Sequence, residues 1–523
     1  MTVRVALVSA PYDTNVFRIG ENLGIKYLAS ALLASNVEVT VVEPALENLS
    51  NAEVAEELLR HSYDAVGFSI MFDEAVGNVS EIVADLRARG FRKHITVGGH
   101  VPTFNSKKIL QTIPGIDTVV QYEAEETIVE LLEALDAPHK WCSIKGLAYR
   151  GSDGVVSNSP RPLIAELDSI PFPMRDAYSR HLGDPHFFVV TSRGCPFVCT
   201  FCSIPAFYKT PPGSAWRTRS VENVLAELEY LVYEHEATSI SFLDDEFLVG
   251  KRGKERARTL ADAISQRYKG LTWSFECRAD DVEQHLFKAL QDGGLRHVFL
   301  GIESGVQRVL DTFDKRTTVE QNRNAIEIVR GLGLSLGVGF IMFDPYTTFD
   351  EMRQNITFLN AMKIGTYKAV ANKLRVYAGT RMESLLAENG LLVEDDEFAL
   401  EFKFKDARVG QAYELTYNRL RPLHVTDQEC RRAEFRLDNL PDGCPSLPHL
   451  REKFSAIQRD ANDLLAGLMT SIVSFFDEHG ASGGGLAIFE REIDDRVTNA
   501  VDRLSATLDQ LRLQTEAARD ARS

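Results

Sequence analysis

At 523 residues the chain is long enough for two or three domains, each with a core of its own. Its net charge of −17 argues against a surface built to track nucleic-acid phosphates, and its 44% apolar and 25% charged residues exclude wholesale disorder. No run approaches the ~18 apolar residues of a spanning helix, and the opening MTVRVALVSAPYD reads as a strand rather than a secretion signal. The expectation is a cytoplasmic protein with neither nucleic acid nor membrane as partner.

From the N-terminus to residue 145, short β-branched runs alternate with helical stretches: VRVALVSA, a helix around Leu23–Ala34, VEVTVVE, YDAVGFSI, HITVGG and IDTVVQ, with helices between them. Continuously apolar strands joined by crossover helices predict a parallel sheet covered on both faces, a doubly wound α/β domain. Ligands of such sheets sit at the carboxyl ends of the strands, which here carry Ser69, Gly98 and Gly99. Residues 146–186, rich in Gly, Ser and Pro, read as a linker.

A second βα series occupies 187–382, with strands expected at FFVVT, 238–245, 271–278, 297–304, 335–343 and a sixth ending at 375–380. Six such units predict a partial (β/α)6 barrel with its chemistry at the carboxyl ends of the strands. Residues 383–523 lose this rhythm and read as a mostly helical domain. Past a glycine-rich break at Ser482–Gly485, the residues Ile493, Val497, Val501, Leu504, Leu508 and Leu511 recur at helical spacing, as on a helix docked against the body.

Seven cysteines are too few and too scattered for a disulfide scaffold, yet three of them form C-x3-C-x2-C: Cys195, Cys199 and Cys202, in the loop after the first strand of the second series. Three thiolates ligate three irons of a [4Fe–4S] cluster and leave the fourth iron open to a substrate or cofactor. A zinc knuckle would need a fourth ligand, and the nearest histidine, His186, lies in the lead-in to the strand.

This half of the chain resembles the radical S-adenosylmethionine (SAM) enzymes. The resemblance rests on the cysteine motif with Phe201 before its last cysteine and on an ordered set of strand ends: Leu243-Asp244-Asp245-Glu246-Phe247, Cys277-Arg278, Gly301-Ile302-Glu303-Ser304, Gly337 to Met342, and Tyr377-Ala378-Gly379-Thr380. It implies that Cys195, Cys199 and Cys202 hold the cluster and that Asp244, Asp245 and Glu246 lie near the SAM amino group. It further implies Arg278 at the SAM carboxylate, Glu303 and Ser304 at the ribose, and Gly339 on the strand that meets adenine. The chemistry implied is reductive cleavage of SAM to a 5′-deoxyadenosyl radical, with an electron donor such as flavodoxin or ferredoxin as partner and the protein supplying orientation.

Ser69-Ile70-Met71, followed after 26 residues by Gly98-Gly99, resembles the S-x-L … G-G half of cobalamin-binding domains. The other half, D-x-H-x-x-G, is missing: its place near residues 22–27 (NLGIKY) holds no histidine, and Gln121-Tyr122-Glu123-Ala124-Glu125 stands where relatives often have Gly-Glu-Gly-Glu. End to end the chain resembles the cobalamin-dependent branch of the radical SAM enzymes. That resemblance implies cobalamin as a further cofactor and methylation of an unactivated carbon of a small-molecule or natural-product substrate. Radical dehydration, epimerisation, cyclisation or rearrangement without methyl transfer is the alternative, and a non-catalytic Fe–S or cobalamin sensor a third. No residue marks itself as the substrate's acid, base or radical quencher.

Overall fold

The computed structural model describes residues 3–12, 21–175, 185–394, 398–438, 440, 444–480 and 485–520. In the first domain, β1 (Arg4–Ser9), β2 (Glu38–Val42), β3 (Ala65–Ser69), β4 (His94–Gly98) and β5 (Thr118–Val120) run parallel in the order β2-β1-β3-β4-β5. The sequence explains this directly: β1 buries every residue after Arg4, as a strand covered on both faces must. The chain steps from β1 outward to β2 and returns to β3 on the other side, so a topological switch point lies at the carboxyl ends of β1 and β3.

The sheet does not stop at residue 145. β6 (Leu147–Gly151) and β7 (Gly154–Ser157), inside the stretch read as a linker, add antiparallel to β5 as a hairpin. Its glycines serve that turn and not a flexible connection. Residues 176–184 of the expected linker lie outside the described residues, as do residues 482–484 of the expected glycine-rich break.

The second domain holds β8 (His186–Val189), a small antiparallel pair of β9 (Ser192–Arg193) and β10 (Arg217–Thr218), and then β11 (Ser239–Phe242), β12 (Thr272–Arg278), β13 (Leu295–Glu303) and β14 (Ser335–Phe340). Its main sheet is parallel in the order β14-β13-β12-β11-β8. Along β12 the side chains alternate: Trp273, Phe275 and Cys277 are buried beneath the helices, while Thr272, Ser274 and Glu276 face the barrel interior.

The sixth expected strand is corrected. Residues 375–380 form no strand in this sheet: the sixth position is marked by a single parallel bridge between Phe343 and Lys373, and Val376 pairs instead with Leu400 of the hairpin β15 (Leu392–Glu394) and β16 (Leu400–Phe402). Thr380 is already the cap of the next helix, its side chain accepting from the Glu383 amide, so the chain turns away before a ladder can form.

Four helices, Ala407–Arg419, Leu423–Asp438, Leu447–His479 and Leu486–Asp520, complete the chain. The stripe read from sequence is buried at Ile493, Val497, Leu504, Leu508 and Leu511. Its first part joins the barrel's own core through Leu468, Ile472 and Phe476, and its last part closes a second core with Leu437, Leu450 and Phe454. The long helix therefore docks on the body. Among the described residues no helix is long and apolar enough to cross a membrane.

Candidate cofactor sites

The cysteine loop begins at Gly194, whose φ of 85° and close approach to the Ala215 carbonyl leave no room for a Cβ. Its amide donates to Asp245 (2.8 Å). Further along, the Thr200 amide and hydroxyl donate to the carbonyls of Phe313 (2.9 Å) and Thr312 (3.0 Å), and Lys209 Nζ donates to those of Pro196 (3.0 Å) and Phe197 (3.1 Å). Phe201 packs on Phe313 at 4.9 Å.

Cys195, Cys199 and Cys202 are free thiols, half-buried. Burial pushes Cys195 and Cys202 up to about 12, and each lies within the field of the other thiols. Cys199 is raised by burial too, but Lys315 and Arg278 pull against that rise. The guanidinium carbon of Arg278 sits over the Phe197 ring, 3.8 Å from its centre, with Nη1 4.0 Å from Cys199 Sγ. Asp280 (2.9 Å) and the Lys315 carbonyl (2.5 Å) hold it there. Among the described residues no three such side chains already stand in metal-ligating geometry. The fit to a [4Fe–4S] cluster rests on donor chemistry: three soft sulfur ligands on one anchored loop, with two cations at hand to favour thiolate.

The other strand-end residues divide into braces and open groups. Asp244 accepts from the Thr191 amide (3.1 Å) and from the hydroxyls of Thr191 (2.9 Å) and Ser192 (2.5 Å), tying β11 to the strand before the cysteines. Ser304 is bonded to Asn355 (3.1 Å) and to the Val306 amide (3.2 Å). Glu303, at φ 60°, accepts from Lys315 Nζ at 2.8 Å. Asp245 faces a cavity, and its surroundings with Asp244 push it up to about 6. Burial and then Asp281 push Glu246 up to about 8. A Cβ on Gly339 would lie 3.3 Å from the Phe299 ring and 3.5 Å from the Glu303 carboxylate. Lys315 escaped the sequence reading, because no spacing marks a lysine whose partner is a strand-end acid twelve residues earlier.

Asp245 opens onto a cavity of about 310 Å³ that the first domain shares. Leu7, Ser69, Gly98, Gly99 and His100 form one wall; Ser192, Arg193, Phe207, Leu243 and Asp245 form the other. The cavity sits at the carboxyl ends of β1, β3 and β4, where a doubly wound sheet binds ligands. Gly99 turns the chain there at φ 107°, and a Cβ would lie 2.6 Å from the Ile70 carbonyl. The mainly apolar walls and the strand-end cradle fit a large planar cofactor entering between the domains. Tyr122, at φ 62°, lines the cavity, and its neighbours Glu123 and Glu125 reach the second domain through Arg193 (3.3 and 2.6 Å).

Of the loop after the cysteines, Tyr208 lines the same cavity, while Arg217 pairs with Glu123 and Trp216 donates to the Glu246 carbonyl (3.2 Å).

His100 stacks on Phe207 of the other domain at 4.4 Å. Burial depresses its imidazole from 6.5 to about 4, as it does His94, packed on Trp141. The folded chain thus refuses protons that the unfolded chain takes up. Stability is fully present above pH 6.5 and falls as the pH drops toward about 4. Urea unfolding at pH 7.5 and 5 is expected to show this loss, and His100→Gln to flatten it; an unchanged slope would contradict the assignment.

Family comparisons agree with this geometry. Residues 11–132 match the B12 binding domain and residues 189–359 the radical SAM superfamily. An uncharacterized methyltransferase of Pyrococcus horikoshii is 32% identical over 403 residues, 75% of this chain and 84% of that protein. The anaerobic magnesium-protoporphyrin IX monomethyl ester cyclase of Rubrivivax gelatinosus is 27% identical over 65% of this chain and 62% of that protein. Among solved structures, the cobalamin-dependent SAM radical enzyme OxsB, with aqua-cobalamin and SAM bound, shares the fold: TM-score 0.73 over 99% of this chain and 80% of that one, at 18% identity. Two domain matches, a relative spanning most of both chains and a three-cysteine loop whose flanking residues Arg193 and Phe207 line a shared cavity lead to one conclusion: this chain belongs to the cobalamin-dependent radical SAM enzyme family.

Proposed function

We propose that the chain methylates an unactivated carbon of a small-molecule substrate, with cobalamin in the shared cavity and electrons from a flavodoxin- or ferredoxin-type donor. The family implies a [4Fe–4S] cluster and SAM, and the B12 binding domain suggests cobalamin. The observation that carries the reading is the single cavity lined by Ser69, Gly98 and Gly99 on one side and by Asp245 on the other. Methyl transfer needs both cofactors to reach one substrate, and a disused first domain would have no reason to keep that opening. The relative named as a methyltransferase supports it, spanning 84% of that protein.

Cys195, Cys199 and Cys202 would hold the cluster; Asp245, Glu246, Arg278, Glu303 and Gly339 would surround SAM; Ser69, Gly98 and Gly99 would receive cobalamin. When bound, these groups supply a 5′-deoxyadenosyl radical for hydrogen abstraction and a methyl group for transfer. The protein's part is positional. Arg278, pinned by Asp280 and the Lys315 carbonyl, keeps positive charge beside Cys199. The paired Lys315 and Glu303 keep a buried charge pair at the strand end without net charge.

The missing D-x-H-x-x-G and the cyclase among the relatives favour a second reading, radical cyclisation or rearrangement without methyl transfer. Anaerobic purification with cobalamin supplied separates the two. Methylation predicts about one cobalt and about four irons per chain, and S-adenosylhomocysteine equal to the bound cobalt once SAM and reductant are added. Iron without cobalt, or deoxyadenosine without S-adenosylhomocysteine, overturns it.

A further inference from the structure

Most polar groups on the walls of the shared cavity are already engaged with the protein. Glu123 and Glu125 pair with Arg193, Ser192 donates to Asp244, Thr96 donates to the Thr118 carbonyl (3.3 Å), and Asp245 accepts from the Gly194 amide (2.8 Å). Among the described residues, the lining side chains of Ser69, His100 and Tyr208 make no hydrogen bond or ion pair. These are the groups left for a ligand.

Of the three, His100 is the one whose position the fold fixes most fully. It opens the helix His100–Thr112 directly after Gly99, whose φ of 107° and contact with the Ile70 carbonyl leave the backbone no slack. The Thr103 amide and hydroxyl both return to the Gly99 carbonyl (3.2 and 2.8 Å), and the Val101 amide donates to that of Ile70 (3.3 Å). The ring itself is stacked on Phe207, 4.4 Å away and 20° from parallel. Phe207 belongs to the helix Ser203–Lys209 that follows the cysteine loop, so both domains hold the imidazole. Its nitrogens are not shut inside protein, as the unpartnered Nε atoms of Arg175 and Arg217 are. It is also the one histidine on the cavity wall among the described residues.

Donor chemistry separates His100 from its neighbours. Burial alone keeps its imidazole neutral at pH 7, since no charge acts on it, and a neutral imidazole has a lone pair to give. Ser69 and Tyr208 are hydroxyls that retain their protons, Tyr208 the more firmly because burial and Asp245 push it well above the ordinary phenol range. The other unprotonated donor on the wall is the Met71 thioether, 41% exposed on a side chain with no such clamp. A fixed, neutral, unpartnered imidazole on the wall of a metallocofactor cavity is a metal ligand in waiting.

We infer that His100 is an axial ligand of the cobalt of cobalamin, with Phe207 setting the plane of its ring. This rests on the reading of the shared cavity as the cobalamin site.

The test is electron paramagnetic resonance of the holoenzyme, reconstituted with hydroxocobalamin and reduced by ascorbate to the Co(II) state with the cluster left oxidised. Protein grown with ordinary histidine is compared with protein grown with nitrogen-15 histidine. A histidine bound to cobalt splits the cobalt lines into triplets in the first and doublets in the second. The doublets are expected in labelled wild type and are expected to vanish in His100→Phe at unchanged cobalt content, because Phe keeps the stack on Phe207 and removes both nitrogens. Triplets that persist in labelled protein assign the ligand to the cofactor's own base and overturn the inference. Unsplit lines, the sign of water or of the Met71 sulfur, overturn it too, as do doublets that survive in H100F. If H100F fails to fold, the labelled wild type decides alone. Cobalt retained without doublets defeats the His100 assignment only, whereas a protein that retains no cobalt defeats it together with the cobalamin reading.

Discussion

Cys199→Ala is expected to reduce deoxyadenosine release from SAM to background, a loss of more than about a thousandfold, or over ~4 kcal/mol of transition-state stabilisation. With two thiols left, the loop cannot complete three-point attachment of a cluster. Cys199 is also the thiol that Lys315 and Arg278 act on most directly, so it has the strongest local support for the thiolate state. The control is Cys277→Ala. That thiol is buried on the opposite face of β12 among Trp273 and Phe275, where it acts as a small apolar side chain. Its loss is expected to cost about 1 kcal/mol in stability and no iron. Iron and sulfide content, with deoxyadenosine by chromatography, reads both variants; a Cys199→Ala protein that still cleaves SAM would remove the cluster assignment.

Glu123→Ala is expected to destabilise the protein by about 3–5 kcal/mol, the usual cost of removing one partner from a buried charge cluster. Glu123 accepts from Arg217 through both oxygens (2.9 and 2.9 Å), from Arg193 (3.3 Å) and from the Ile164 amide (2.8 Å). Without it Arg217 keeps the Ile164 carbonyl (2.7 Å) and the face of Tyr208, while its Nε already lacks a partner. Because Glu123 belongs to the first domain and both arginines flank the cysteine loop, the loss should appear as two separated urea transitions in place of one. A single transition at the wild-type midpoint would show that the domains are held together elsewhere. Glu123→Gln keeps the shape and loses the charge, and is expected to fall between the two.

The two glutamates illustrate what local reading misses. In sequence, Glu123 and Glu125 register only as members of a segment whose Tyr122 and Ala124 depart from Gly-Glu-Gly-Glu. In the structure they hold the second domain against the first through Arg193 and Arg217, and Tyr122 takes the left-handed conformation that glycine would otherwise supply. The same limit explains Asp244 and Ser304, whose strand-end positions are legible but whose hydrogen bonds brace neighbouring backbone. It also explains the sixth strand, which a helix cap at Thr380 and a competing hairpin at Leu400 displace.

The sequence by itself determined the alternation of strand and helix in both α/β domains, the carboxyl-end positions of Ser69, Gly98 and Gly99, the cysteine loop and the buried stripe of the last helix. These follow from periodicity and from residue types a few positions apart, which are local quantities. Only the tertiary structure decided that residues at the strand ends of both domains line one cavity and that Lys315 neutralises Glu303. Burial and charge pairing depend on distances between residues far apart in the chain, and those distances exist only once the sheets have packed.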